Sequence, residues 1–111
     1  MIEILRQSDL SKIAHYPKSV VDAIQQSITI LDENYGTDRT RDGDGGLDLV
    51  IETESDLQSL MQTLFWGDVP EFSEIIDGYV HALYLVNNDR GLDVFLPEEW
   101  ATKGMKEAME T

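Results

Sequence analysis

The chain has no cysteine among its 111 residues. That removes structural disulfides, zinc–thiolate sites, iron–sulfur clusters and thiol nucleophiles together. Bases are scarce: eight Lys and Arg stand against 22 Asp and Glu, a net charge of −14. Between Asp42 and Asp89 there is no Lys or Arg at all. Such a field repels nucleic acid and anionic membranes and draws in basic partners. Long apolar runs are also missing. Nothing approaches the roughly 18 residues of a membrane span. The start, Met1-Ile2-Glu3-Ile4-Leu5-Arg6, carries both an acid and a base and does not read as a secretory signal. A soluble, cytoplasmic protein is the expectation.

What is present suffices for one domain spanning 1–111. The hydrophobic share of 41% lies well clear of disordered composition. No repeat with a period of 20–50 residues is evident.

Hydrophobic spacing supplies the elements. Ile2 and Ile4 suggest a short first strand, and Ser8 or Asp9 a capped turn through Leu10 and Ile13. Pro17 opens a helix over 18–34, with Val20, Val21, Ile24, Ile28 and Leu31 on one stripe and Gly36 as its stop. Residues 36–46 are polar and Gly-rich and read as a loop. Leu47, Leu49 and Ile51 alternate as a strand. Ser55-Asp56-Leu57-Gln58 matches a capping box ahead of a helix at 56–65, bearing Leu57, Leu60, Met61 and Leu64. Phe72 to Ile76 reads as a strand, Asp77-Gly78 as a hairpin turn, and Tyr79 to Val86 as a strand apolar on both sides. Leu92, Val94 and Leu96 form another strand. Pro97-Glu98-Glu99-Trp100 opens a last helix, with Trp100 and Met109 as its buried contacts. The expected class is α+β. It has a small antiparallel sheet of three to five strands ending in a C-terminal meander, with two or three helices packed on one face.

Three constellations bear on function. The segment Thr40-Arg41-Asp42-Gly43-Asp44-Gly45-Gly46-Leu47-Asp48 follows the register of an EF-hand loop in its middle. Asp42, Asp44 and Asp48 would be the calcium ligands, but Thr40 and Ile51 fail at the two ends, and a solvated turn is the simpler reading. Phosphate binding by the same glycines is rejected, because no Gly-Lys-Ser/Thr follows and the carboxylates would repel the anion. His81, mid-strand, is the candidate acid–base group. The plain alternative is a packed histidine with one hydrogen bond. His15, beside Tyr16-Pro17, reads as a helix-boundary residue. Finally, Trp66, with Asp68, Glu71 and Glu74 around it, is the candidate contact surface, since tryptophan is enriched where partners anchor. The favoured function is a non-catalytic interaction module whose acidic face binds a basic protein surface, as an inhibitor or nucleic-acid mimic would. A calcium module and a small enzyme using His81 are the alternatives, and a homodimer is compatible with each.

Overall fold

A computed structural model of the protein describes residues 1–40, 45–63, 70–87, 90–102 and 105–106. It contains strand β1 (Ile2–Ile4), a 3₁₀ helix (Gln7–Ile13), helix α1 (Lys18–Tyr35), β2 (Gly45–Val50), helix α2 (Glu54–Thr63), β3 (Phe72–Ile76), β4 (Tyr79–Asn87), β5 (Arg90–Pro97) and a 3₁₀ turn (Glu98–Trp100). The strands form one open sheet in the order β1-β2-β5-β4-β3. β3, β4 and β5 are the expected antiparallel meander. β1 is antiparallel to β2, while β2 and β5 run parallel. The fold is therefore α+β, with a mixed sheet that is mostly antiparallel. Among the described residues, no helix is long and apolar enough to cross a membrane.

The helices divide between the two faces of the sheet rather than sharing one. On the first face, Leu47, Leu49, Val80, Ala82, Val94 and Leu96 pack with Leu60 of α2 and with Met105. On the second, Ile4, Val50 and Phe95 pack with Val20, Ile24 and Ile28 of α1 and with Ile13. The reason lies in β2 and β5, whose alternate positions are buried on both sides. One layer of helices cannot cover both.

Local chemistry explains most of the boundaries. Val20, Ile24 and Ile28 recur every fourth residue and are fully buried. Gly36, at φ 91°, ends α1 and donates its N–H to Asp32 O at 3.0 Å. The β3–β4 turn has positive φ at both Asp77 (52°) and Gly78 (86°), as a two-residue type I′ hairpin requires. Helix α2 starts earlier than the spacing suggests. Thr53 Oγ1, not Ser55, caps it by accepting the N–H of Asp56 at 3.1 Å. Glu54 and Asp56 then stand in the first turn, where the helix dipole favours acids.

In place of a helix running on from Pro97, Glu98–Trp100 form one 3₁₀ turn, and Met105 and Lys106 are helical again beyond it. Ala101 is extended (φ −62°, ψ 133°) and breaks it. Thr102 then starts a fresh turn, its carbonyl accepting from Lys106 N at 3.1 Å, and Met105 is fully buried. Trp100 does pack on that core; Met109 lies outside the described residues.

Candidate functional site

Strand alternation places Asp48, Asp93, His81 and Glu74 on the α1 face, on four neighbouring strands. Register fixes their adjacency. Asp48 of β2 stands opposite Asp93 of β5, His81 of β4 opposite Phe95, and Glu74 of β3 opposite His81. The side chains link into a polar row. Ser27 of α1 donates to Asp48 Oδ2 at 3.2 Å. His81 Nε2 lies 2.6 Å from Asp93 Oδ1, and His81 Nδ1 lies 3.3 Å from Glu74 Oε1. An ionised carboxylate can only accept, so two such bonds call for a donor on both ring nitrogens, the arrangement of a protonated ring. The ring stacks on Phe95, with centroids 4.3 Å apart and planes 5° apart, and Phe72 meets it edge-on at 5.9 Å. Stacking leaves the ring no freedom to turn away from its two acids.

Protonation follows from these contacts. Burial works against a charged His81, but the hydrogen bond and charge of Asp93, then those of Glu74, outweigh it and hold the pKa above the ordinary histidine value. Asp48 goes the other way for an acid. Burial, reinforced by the neighbouring charge of Asp93, raises its carboxyl well above the usual carboxylate range; the bond from Ser27 and the charge of Arg39 only partly oppose this. Asp48 is 0% exposed, and its Oδ1 has no hydrogen-bond partner among the described residues. Arg39 is itself buried. It donates to Asp32 Oδ1 (2.8 Å), Leu5 O (2.9 Å) and Gly36 O (3.1 Å), and so ties the end of α1 to the N-terminal segment.

A stability prediction arises from Asp48. A raised folded-state pKa in an acid favours the protonated form, so its contribution is full at low pH. It is lost as pH rises from the ordinary carboxylate value, about 3.9, through the folded value. Asp48→Asn carries no proton to lose. The variant is expected to match the wild type near pH 4 and to exceed it at pH 7 by about 1–3 kcal/mol, the scale of a buried polar group lacking a partner. Urea unfolding at the two pH values checks this. A variant less stable than wild type at pH 7 would mean that Asp48 works as a paired carboxylate.

Above the row lies a groove of about 510 Å³ between the C-terminal half of α1 and the ends of β4 and β5. Its geometry comes from the path of α1. The helix begins over the β3–β4 turn, where Ser19 Oγ donates to Asp77 Oδ2 at 3.0 Å. It ends over the start of β2, where Tyr35 lies against Gly45. Among the described residues, this diagonal leaves uncovered the corner formed by the start of β3, the end of β4 and the start of β5. His81, Glu74 and Asp93 stand in the groove, and among the described residues its lining contains no Lys or Arg. Ile30 (49% exposed) and Leu85 (60%) form its lips, with Phe72 and Tyr35 also exposed beside it.

The residues singled out from sequence meet different fates. Glu74 belongs to the row. Glu71 is exposed just before β3, its N–H bonded to Leu83 O at 2.8 Å. Trp66 and Asp68 lie outside the described residues, as do Asp42 and Asp44. Asp48 is not on a loop surface but in β2, beneath α1. Among the described residues, no group of three or more His, Asp or Glu side chains has the geometry to hold a metal ion. His15 is exposed, 3.9 Å from Glu52, and apart from the groove. Sequence reading missed Asp93, Ser27 and Arg39. A signal for Asp93 exists in the pentapeptides Gly46-Leu47-Asp48-Leu49-Val50 and Gly91-Leu92-Asp93-Val94-Phe95. They share a pattern and pair residue for residue in parallel. Comparison with family models, with curated proteins and with solved structures yields no match for this chain.

Proposed function

We propose that the protein is a non-catalytic interaction module that binds a basic surface on another protein, with the α1–β4 groove as its contact site. The observation that carries this reading is the groove itself: apolar lips, carboxylates on the floor and, among the described residues, no Lys or Arg in its lining. The net charge of −14 adds a long-range attraction for a basic partner. The state of His81 also favours binding over catalysis. A general base needs a nitrogen free to take a proton, and both nitrogens here are held by carboxylates. Inhibition of a nucleic-acid-binding protein is the sharper form of the same reading, with carboxylates standing where phosphates would.

Capture of the tagged chain's partners from a lysate of its own cells at low salt tests this. A stoichiometric basic protein released by about 0.5 M salt, where the Debye length has shrunk to a few ångströms, is the expected result. No partner, or one indifferent to salt, would reduce the acidity to a solubility feature.

A further inference from the structure

We infer that the groove between α1 and β4 receives an amphipathic basic helix from the partner, its apolar side chains seated on Ile30 and Leu85 and a Lys or Arg reaching Glu74 and Asp93. This rests on the interaction reading above and names what that site takes.

Three observations converge. The first is the shape of the uncovered corner. It spans three strands, β5, β4 and β3, which is two inter-strand spacings of about 4.8 Å and close to the roughly 10 Å diameter of a helix. A helix laid there would run beside α1 and complete the layer that α1 leaves unfinished. The second is the flank of α1. Ala23, Ser27, Ile30 and Asn34 line the groove at helical spacing, on a stripe separate from the core stripe of Val20, Ile24 and Ile28. Small residues at the closed end and an isoleucine at the lip give a second helix room to approach. The third is charge. In the groove, His81 stands between the carboxylates of Glu74 and Asp93, so among the described residues a protonated ring leaves one negative charge unbalanced. A single cationic head balances it, and the long aliphatic stem of Lys or Arg suits a passage past Ile30, Leu83 and Leu85 to reach it. A volume of about 510 Å³ holds a few side chains rather than a folded surface, which favours a segment as the occupant.

The probe is a synthetic Leu–Lys helix of about 18 residues, five turns long. It is compared with a scrambled peptide of the same composition and with a Leu–Glu counterpart, each titrated into the full-length ¹⁵N-labelled chain. The expected result is a set of shifts centred on Ile30, His81, Leu83 and Leu85, from the Leu–Lys helix alone. Leu85→Ser and Ile30→Ser alter exposed positions and keep the net charge. Each is expected to weaken binding about tenfold while leaving the melting temperature within a few degrees. Equal binding of the scrambled peptide, or equal affinity in the two variants, would overturn the groove assignment. So would self-association of the wild type that Leu85→Ser abolishes, since the occupant would then be a second copy. Failure of this inference is separable from failure of the reading beneath it. If the Ile30→Ser/Leu85→Ser chain still captures the lysate partner, the interaction module stands and the groove falls. If the wild type captures none, both fall.

Discussion

His81→Ala is expected to lower the unfolding free energy by about 3–5 kcal/mol at neutral pH, the range for breaking a buried ion pair by removing one partner. The His81 and Asp93 side chains are only 14% and 15% exposed, so water offers little relief to the acid left behind. Asp48 stands next along the row. Without the His81 ring, the acid of Asp93 is left beside the buried Asp48 with no positive partner from β4. Loss of the stacked ring also exposes Phe95, the largest fully buried side chain among the described residues. The pH dependence has a definite sign. A histidine whose folded pKa lies above the unfolded one contributes fully below about pH 6.5, the unfolded value. The contribution fades as pH climbs through the folded value. The wild type should thus weaken on the alkaline side, and the gap between wild type and variant should narrow there. Urea denaturation from pH 5 to pH 9 reads both effects. Adding Asp93→Asn to His81→Ala should restore part of the loss, because the stranded charge goes with it. A cost below about 1 kcal/mol, or no recovery in the double variant, would show that the pair is a surface contact of the ordinary weak kind.

Gly46→Ala should be at least as damaging. Gly46 has φ 129°, a conformation L-residues rarely adopt, and a Cβ there would stand 2.1 Å from the carbonyl oxygen of Gly91. That neighbour is backbone in the adjacent parallel strand and cannot swing aside as a flexible side chain would. Relief requires β2 and β5 to separate, and both hydrophobic clusters draw on those strands. A loss above about 4 kcal/mol, or a chain that does not fold, is expected, in the class of exceptional single-residue effects. Gly78→Ala is the internal comparison. Its φ is 86°, but a Cβ would meet nothing within 4 Å. It should cost only the backbone term of about 1–2 kcal/mol. In a domain of this size each kcal/mol shifts melting by roughly 4–8 °C, so the two variants separate clearly in a thermal scan. If they melt together, the contact with Gly91 is not what constrains position 46.

These two residues also mark how far the sequence could be read. The helix at 18–34, the 77–78 turn and the C-terminal meander were legible because each rests on local rules: a four-residue stripe, a pair of turn residues, alternation between short loops. Gly46 was read as part of a loop, since two adjacent glycines among aspartates look like a turn. Its real constraint is the backbone of a strand 45 positions away. Asp48 was offered as a calcium ligand on that loop, and Leu92, Val94 and Leu96 were read as the apolar face of a strand with nothing made of Asp93 between them. Both readings assume that a strand with one apolar face turns the other to water. Val50 and Phe95, at the same parity as the two acids, were the residues that argued otherwise. His81 was singled out, but its two carboxylate partners come from neighbouring strands, and only the register brings them to it. The groove was illegible, because it depends on the angle at which α1 crosses the sheet.

The parallel pairing of β2 with β5 also imposes an order of events on folding. β3, β4 and β5 meet through short connections and can assemble as soon as they exist. β2 has only two sheet neighbours, the three-residue β1 and β5. Its main partner, Arg90–Pro97, is made well after it. Until then Asp48 sits in solvent as an ordinary ionised carboxylate. Asp48, fully enclosed in the finished fold, therefore meets the surroundings that raise its pKa late, when the strand synthesised some 45 residues after it comes to lie alongside.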